Sequence, residues 1–255
     1  VALPISKTWA DSRRDPMSKI ADRLARIRDN IAAACERARR NPDKITTVIV
    51  TKTAPLESIF EVIRQGCLDL GENRVQNLKH VAEQVERFLA ESSLGKGPRG
   101  PVRWHMIGHL QRNKVKPVLK LSSIIHSVDT LRLAEEINTC AGKQDQCPHV
   151  LLQVNCSGEP QKYGVPVGAA VHLAEQIATM PNLRLVGLMT MAPLTRNKDV
   201  VRACFARARE LFEEIRKEAF VTNKFMHLSM GMSQDYEIAV EEGATILRIG
   251  SAVFA

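Results

Sequence analysis

A lysine closes an apolar run, Ile45-Thr46-Thr47-Val48-Ile49-Val50-Thr51-Lys52. The run reads as a buried strand, and burial disfavours an ammonium, leaving a usable amine. Such an amine forms Schiff bases with carbonyl compounds. The other reading is a lysine that only snorkels from a strand mouth. Two glycine-bearing strand ends follow much later, Leu228-Ser229-Met230-Gly231-Met232 and Arg248-Ile249-Gly250-Ser251. Glycine lets backbone N–H groups approach an anion closely, and the Ser229 and Ser251 hydroxyls add donors. A helix opening at Ser233 or Ser251 would aim its N-terminus at the same anion. Alternatively, Gly231 and Gly250 only permit tight turns. Arg248 lies in an apolar strand, where a guanidinium needs a partner. That partner is a barrel carboxylate such as Glu72, or a ring nitrogen of a ligand. Amine, phosphate cradle and ring-nitrogen arginine together describe one ligand, pyridoxal 5′-phosphate (PLP).

These residues need a scaffold that brings distant strand ends together. Short β-branched runs alternate with amphipathic runs along the chain. Strands are predicted at 45–52, 67–70, 103–107, 123–127, 149–155, 183–190, 225–229 and 245–249. Helices are predicted from 56 to Gly66, and at 73–92, 111–121, 130–141, 167–180 and 233–242, with a stripe over 201–215 and a leading helix at 17–40. Eight strands, each but the last followed by a clear helix, are the arithmetic of a closed (β/α)8 TIM barrel in the α/β class. An open doubly wound sheet usually has fewer strands. In a barrel the site lies at the C-terminal strand ends, and the loops after strands seven and eight often hold phosphate. Residues 1–16 are read as a flexible lead and 17–255 as one PLP-binding barrel.

Composition narrows the classes. With 44% hydrophobic and 25% charged residues, the chain is neither disordered nor collagenous. It contains no apolar run long enough to span a membrane, and residues 1–15 show no secretory pattern. The six cysteines form no C-x-x-C pair, so they read as reduced thiols of a cytoplasmic protein. The net charge of +8 is concentrated, with seven basic and no acidic residues over 95–120. With only scattered aromatics there is no stacking platform, so the excess reads as solvated surface or anion binding rather than nucleic-acid recognition. Arg112, Lys114 and Lys116 are a candidate docking surface for an acidic partner. The pattern Gly95-Lys96-Gly97-Pro98-Arg99-Gly100 follows a helix and precedes a strand, the reverse of a dinucleotide fingerprint, and the loop 91–102 around it reads as mobile. His105 and His109 are not on one helix face and lack a third ligand, so they read as core or supporting groups rather than metal ligands; His227 reads as packing.

A resemblance sharpens this reading. Val50-Thr51-Lys52-Thr53, Gly71-Glu72-Asn73, Trp104-His105-Met106-Ile107-Gly108-His109-Leu110-Gln111, His126-Ser127-Val128-Asp129, Gly187-Leu188-Met189-Thr190, Leu228-Ser229-Met230-Gly231-Met232-Ser233 and Arg248-Ile249-Gly250-Ser251 occur in this order. Over residues 19–255 the chain resembles the pyridoxal phosphate homeostasis family. The resemblance implies a barrel like the N-terminal domain of alanine racemase, with PLP held as a Schiff base on Lys52. It further implies Arg248 at the pyridine nitrogen, Ser229, Gly231, Gly250 and Ser251 at the phosphate, and Asn73 and His109 near the ring. It implies a carrier or regulator in vitamin B6 balance, with apo PLP-dependent enzymes as recipients and no established reaction. Two alternatives stand beside it: an amino-acid racemase, for which Tyr163 and Tyr236 are the tyrosines available as a second base, and a sugar-phosphate barrel enzyme using a Schiff-base lysine without cofactor. A monomer is the simplest expectation.

Overall fold

The computed structural model describes residues 16–91 and 101–255. The expected lead, apart from Pro16, lies outside the described residues, as does the glycine pattern at 95–100. Eight strands run parallel: β1 (Thr46–Val50), β2 (Asp69–Glu72), β3 (Arg103–Met106), β4 (Ser122–Val128), β5 (His149–Asn155), β7 (Arg184–Met189), β8 (His227–Ser229) and β9 (Ile246–Ile249). Their neighbour order is β4-β3-β2-β1-β9-β8-β7-β5, and β4 also pairs with β5, so the sheet closes into a barrel. A two-residue strand, β6 (Val165–Pro166), pairs beside β5 and was not anticipated.

Successive strand side chains point to opposite faces. Inside the ring, Val48, Leu151, Val186, Met189 and Ile246 form a closed apolar cluster. Residues that alternate with them, such as Ile49, Val150 and Leu247, belong to the larger core between strands and helices. The helices are α1 (Pro16–Arg37), α2 (Leu56–Arg64), α3 (Val75–Glu91), α4 (Val115–Leu119), α5 (Leu131–Gly142), α6 (Val167–Ala178), α7 (Lys198–Arg216), α8 (Tyr236–Glu241) and α9 (Ser251–Phe254). In α1 the buried Ile20, Leu24, Ile27 and Ile31 recur at helical spacing. This face lies against the last βα units. Arg23 Nη1 donates to Val253 O at 3.1 Å, Asn30 Nδ2 to Tyr236 Oη at 2.8 Å, and Arg40 Nη1 to Val240 O at 2.5 Å.

Several boundaries differ from expectation for local reasons. The helix expected at 111–121 is a 3-10 turn, Arg112–Lys114, followed by α4. Pro117 lacks an N–H and is tolerated only in a first turn, so the α-helix begins at Val115. The second strand is shifted toward its C-terminus and includes Gly71 and Glu72. These are poor strand formers by propensity. Gly71 belongs there because a Cβ at its position would lie 2.8 Å from Val48 Cγ1. The chain after β9 forms a short helix, α9, that opens at Ser251 as the cradle reading considered.

Candidate functional site

Pairing registers place the site. Val48 and Ile49 of β1 pair with Arg248 and Ile249 of β9, so the chain leaves β1 toward Lys52 beside Gly250-Ser251. Gly250 fits tightly there, since a Cβ at its position would lie 3.2 Å from Val50 Cβ. On its other side, Arg248 N donates to Gly231 O at 3.0 Å. Thus the ends of β8, β9 and β1 carry Gly231, Arg248, Gly250, Ser251 and Lys52 on one arc of the C-terminal rim. The ends of β2 and β3 continue it with Asn73 and His109. Gly108 packs against the Asn73 backbone, where any side chain would collide.

Lys52 sits in the turn after β1 and is exposed. The expectation that burial disfavours its ammonium is therefore corrected. β1 ends at Val50, and the turn lifts the side chain to the barrel mouth. The turn itself is anchored. Thr51 is buried, its N–H donates to Gly71 O at 3.0 Å, and its hydroxyl donates to Glu72 Oε1 at 2.5 Å. Glu72 is fully buried and also accepts from Asn77 Nδ2 at 2.7 Å. Burial pushes the Glu72 carboxyl up, against the hydrogen bonds from Thr51, Asn77 and the Asn73 backbone that favour its anion. Glu72 thus ties the Lys52 turn to the Asn73 turn, so it is not the carboxylate partner considered for Arg248.

Arg248 points into the barrel and is 4% exposed. Its Nη1 donates to Ser229 Oγ at 2.6 Å and its Nη2 to Thr190 O at 2.9 Å. Burial lowers its pKa to about 10, so the guanidinium stays charged at neutral pH. Asp235, whose carboxylate accepts from Met232 N at 2.5 Å, supports that charge. A guanidinium has five N–H donors. The described residues accept two of those on Arg248.

The two glycine turns interlock. Gly231 has φ +91°, a conformation that favours glycine, and a Cβ there would lie 2.5 Å from Ala239 Cβ. Ser233 Oγ accepts from Gly250 N at 3.2 Å and Ala252 N at 3.1 Å, tying the turn after β8 to the start of α9. Ser251 is exposed at the rim. Ser229 differs from the cradle expectation. Its hydroxyl is fully buried between Arg248 and His126 inside the barrel, away from the glycine turns. Ser233, which the site residues read from sequence omitted, is the serine that binds those turns together.

His109 is half-exposed at the end of β3. Its Nδ1 lies 3.6 Å from Asp129 Oδ2, and its ring stacks on Tyr163 at 4.2 Å. Burial pushes the Asp129 carboxyl up. Tyr163 therefore stands at the mouth, whereas Tyr236 faces α1 outside the barrel and accepts from Asn30. His105 and His126 lie inside the barrel, bonded to each other, and sequence reasoning assigned neither to the site. The sequence cue for His126 was its place in the segment His126-Ser127-Val128-Asp129 that carries the resemblance. Of the basic surface, Arg112 and Lys116 are exposed and Lys114 is half-buried.

Comparison with known proteins places the fold and the sequence. The model of the alanine racemase N-terminal domain family matches residues 23–255. A pyridoxal phosphate homeostasis protein of Aquifex aeolicus is 40% identical over 233 residues, covering 91% of this chain and 96% of that protein. Its namesake in Escherichia coli K12 is 37% identical over 242 residues, covering 93% and 97%. The structure of PipY from Synechococcus elongatus with PLP bound is 30% identical, with TM-score 0.78, covering 92% of this chain and all of that one (100%). A Bifidobacterium adolescentis protein of unknown function is 35% identical with TM-score 0.88, covering 96% and 99%. An alanine racemase of Clostridium difficile shares the fold alone, at 13% identity and TM-score 0.64, covering 92% of this chain and 55% of that one. With a family model over most of its length and relatives at 37–40% identity across nearly the whole of both chains, the chain belongs to the pyridoxal phosphate homeostasis protein family, within the alanine racemase N-terminal domain fold.

Proposed function

We propose that this protein binds PLP at the C-terminal mouth of its barrel and serves as a carrier or regulator in vitamin B6 homeostasis. The observation that carries this is the convergence of Lys52, Arg248, Gly231 and Gly250 on adjacent strand ends, β8, β9 and β1. The residues fit the group. Lys52 supplies an accessible amine for the cofactor's aldehyde carbon, condensing with loss of water. Arg248 offers donors to the pyridine nitrogen. The backbone of the Gly231 and Gly250 turns, with the Ser251 hydroxyl, forms a cradle that a Cβ would crowd. Asn73 and His109 border the ring from β2 and β3. Ser229 acts beneath Arg248 rather than at the phosphate.

Bound PLP supplies an electron sink for carbanion chemistry at an amino acid's α-carbon. The residues here temper that capacity. Arg248 is a charged donor and disfavours a protonated pyridine nitrogen, which weakens the sink. Racemisation also needs an acid–base group on each face of the α-carbon. Lys52 serves one face, and Tyr236 is turned away from the barrel. Tyr163 is the remaining tyrosine and is committed to a stack on His109. This supports a carrier over a racemase. A cofactor-free sugar-phosphate enzyme would leave the buried Arg248 without a role. All six cysteines are unpaired thiols, which fits a reducing cytoplasmic compartment. Among the described residues no helix is long and apolar enough to cross a membrane. We read the protein as a monomer that delivers PLP to apo-enzymes.

The test combines two measurements. Purified protein is expected to take up PLP with a visible absorbance band that Lys52→Ala abolishes. The loaded protein is expected to show no deuterium exchange at the α-carbon of alanine or serine. Rapid exchange dependent on Lys52 would favour the racemase, and failure to take up PLP would refute the site.

A further inference from the structure

A chain of hydrogen bonds crosses the inside of the barrel from Arg248 to its floor. Arg248 Nη1 lies 2.6 Å from Ser229 Oγ, and Ser229 Oγ lies 3.0 Å from His126 Nδ1. His126 Nε2 lies 2.9 Å from His105 Nδ1, and His105 Nε2 lies 3.0 Å from Asp69 Oδ1. Asp69 opens β2 at the N-terminal end of the barrel, where Arg103 Nε donates to Oδ1 at 2.7 Å. Both border a cavity of about 510 Å³ at the floor. Among the described residues, the side-chain hydrogen bonds of Asp69, His105 and His126 run to one another, to Arg103 and to Ser229, and none reaches the glycine turns or the Lys52 turn.

The ends of the chain fix every proton within it. Arginine only donates, so Ser229 Oγ accepts from Arg248. The Ser229 proton then goes to His126 Nδ1, the other hydrogen-bond partner of that hydroxyl among the described residues. A neutral imidazole has one N–H, so His126 carries its proton on Nε2 and donates to His105 Nδ1. His105 in turn carries its proton on Nε2 and donates to the carboxylate of Asp69. Reversal would leave Ser229 with two incoming donors and its own proton without an acceptor. His126 and Ser229 are both completely buried, so such a mismatch would go unrelieved by solvent.

We propose that Asp69, His105 and His126 are positioning residues: they hold Ser229 as an acceptor and thereby fix the Arg248 guanidinium as the donor to the pyridine nitrogen. This rests on the PLP reading of Arg248 given above. An ionised floor carboxylate thus sets the direction of hydrogen bonding at the mouth. An Asp in the same relation to a histidine sets its tautomer in serine proteases.

The test uses protein labelled with 15N at histidine. Long-range 1H–15N correlations are expected to show both His105 and His126 protonated at Nε2 and bare at Nδ1, without and with PLP. In Asp69→Leu the acceptor of the His105 Nε2–H is gone, so at least one of the two histidines is expected to leave the Nε2–H form. The visible band of bound PLP is expected to shift and PLP affinity to weaken about tenfold, as for other groups that orient a ligand's partner. Arg103→Ala, which leaves the Asp69 acceptor in place, is expected to keep the wild-type tautomers. A wild-type Nδ1–H on either histidine would overturn the proposal and needs no variant to fold. So would an Asp69→Leu protein with unchanged tautomers, or one with altered tautomers and an unchanged PLP band. Expected tautomers in a protein that takes up no PLP would instead refute the site and leave the chain of bonds standing.

Discussion

Arg248 shows how much one residue's meaning depends on its surroundings. It is a charge in a fully apolar strand, which is tolerated because two polar acceptors meet it inside the barrel and the carboxylate of Asp235, in the turn before α8, favours its charge. Its supporting network carries a pH signature. Burial, His105, Arg248 and His227 hold the His126 pKa well below its ordinary 6.5. The unfolded chain therefore binds a proton there that the folded chain refuses, and stability falls as pH drops below about 6.5. For Asp69, burial pushes the carboxyl up, but hydrogen bonds from His105 and Arg103 outweigh it and keep it below 3.8. Its contribution is fully present above that value and is lost as pH falls through the folded pKa. Urea unfolding across pH is expected to show two declines, one starting near 6.5 and one below 3.8. A flat profile between these would contradict a buried neutral His126. At this scale the sequence was legible where a residue stood out against its neighbours, as Lys52, Arg248, Gly231 and Gly250 do. It named Glu72, His105 and Ser233 but not their partners, which lie far along the chain and are met only through the fold. It also misjudged Lys52, because the single extra turn past Val50 decides between burial and exposure.

At the scale of elements, the turns matter more than the strands they end. The turn after β8 holds Gly231 at φ +91° against Ala239 on α8, while Ser233 ties it to α9. Gly231→Ala adds both a strained backbone and a clash, and is expected to cost about 2–3 kcal/mol. It is also expected to lower PLP retention. Gly168→Ala, in α6 with nothing within 4 Å of the new Cβ, is expected to be neutral or to stabilise by about 0.5–1 kcal/mol. Thermal denaturation of the pair checks the contrast, and equal losses would show that the turn after β8 is not specially constrained. Strand existence was readable from β-branched runs, since barrel strands are buried on both faces. Strand ends were less so. β2 runs through Gly71 and Glu72 because a neighbouring valine and a buried carboxylate network require them there. The helix at 111–121 shrinks because Pro117 sets where it can begin.

At the scale of the molecule, closure of the sheet is what creates the site. β9 returns to pair with β1, so residues 48 and 248 become neighbours and the ends of the sequence build one rim. α1 lies against α8 and α9 and holds that junction from outside through Arg23 and Asn30, joined by Arg40 of the turn that follows it. The alternation of strands and helices made this architecture legible before any coordinate, because eight parallel strands of this spacing have few other ways to bury both faces. The hydrogen-bonded interior, by contrast, follows from which strands face each other across the barrel, and no local pattern announces that. The central claim is that the rim so formed holds PLP on Lys52. Borohydride reduction of the PLP-loaded protein, followed by peptide mapping by mass spectrometry, tests it most directly. The account predicts a phosphopyridoxyl adduct on the peptide bearing Lys52 and on no other in comparable yield. An adduct confined to a different lysine, or none at all, would contradict it.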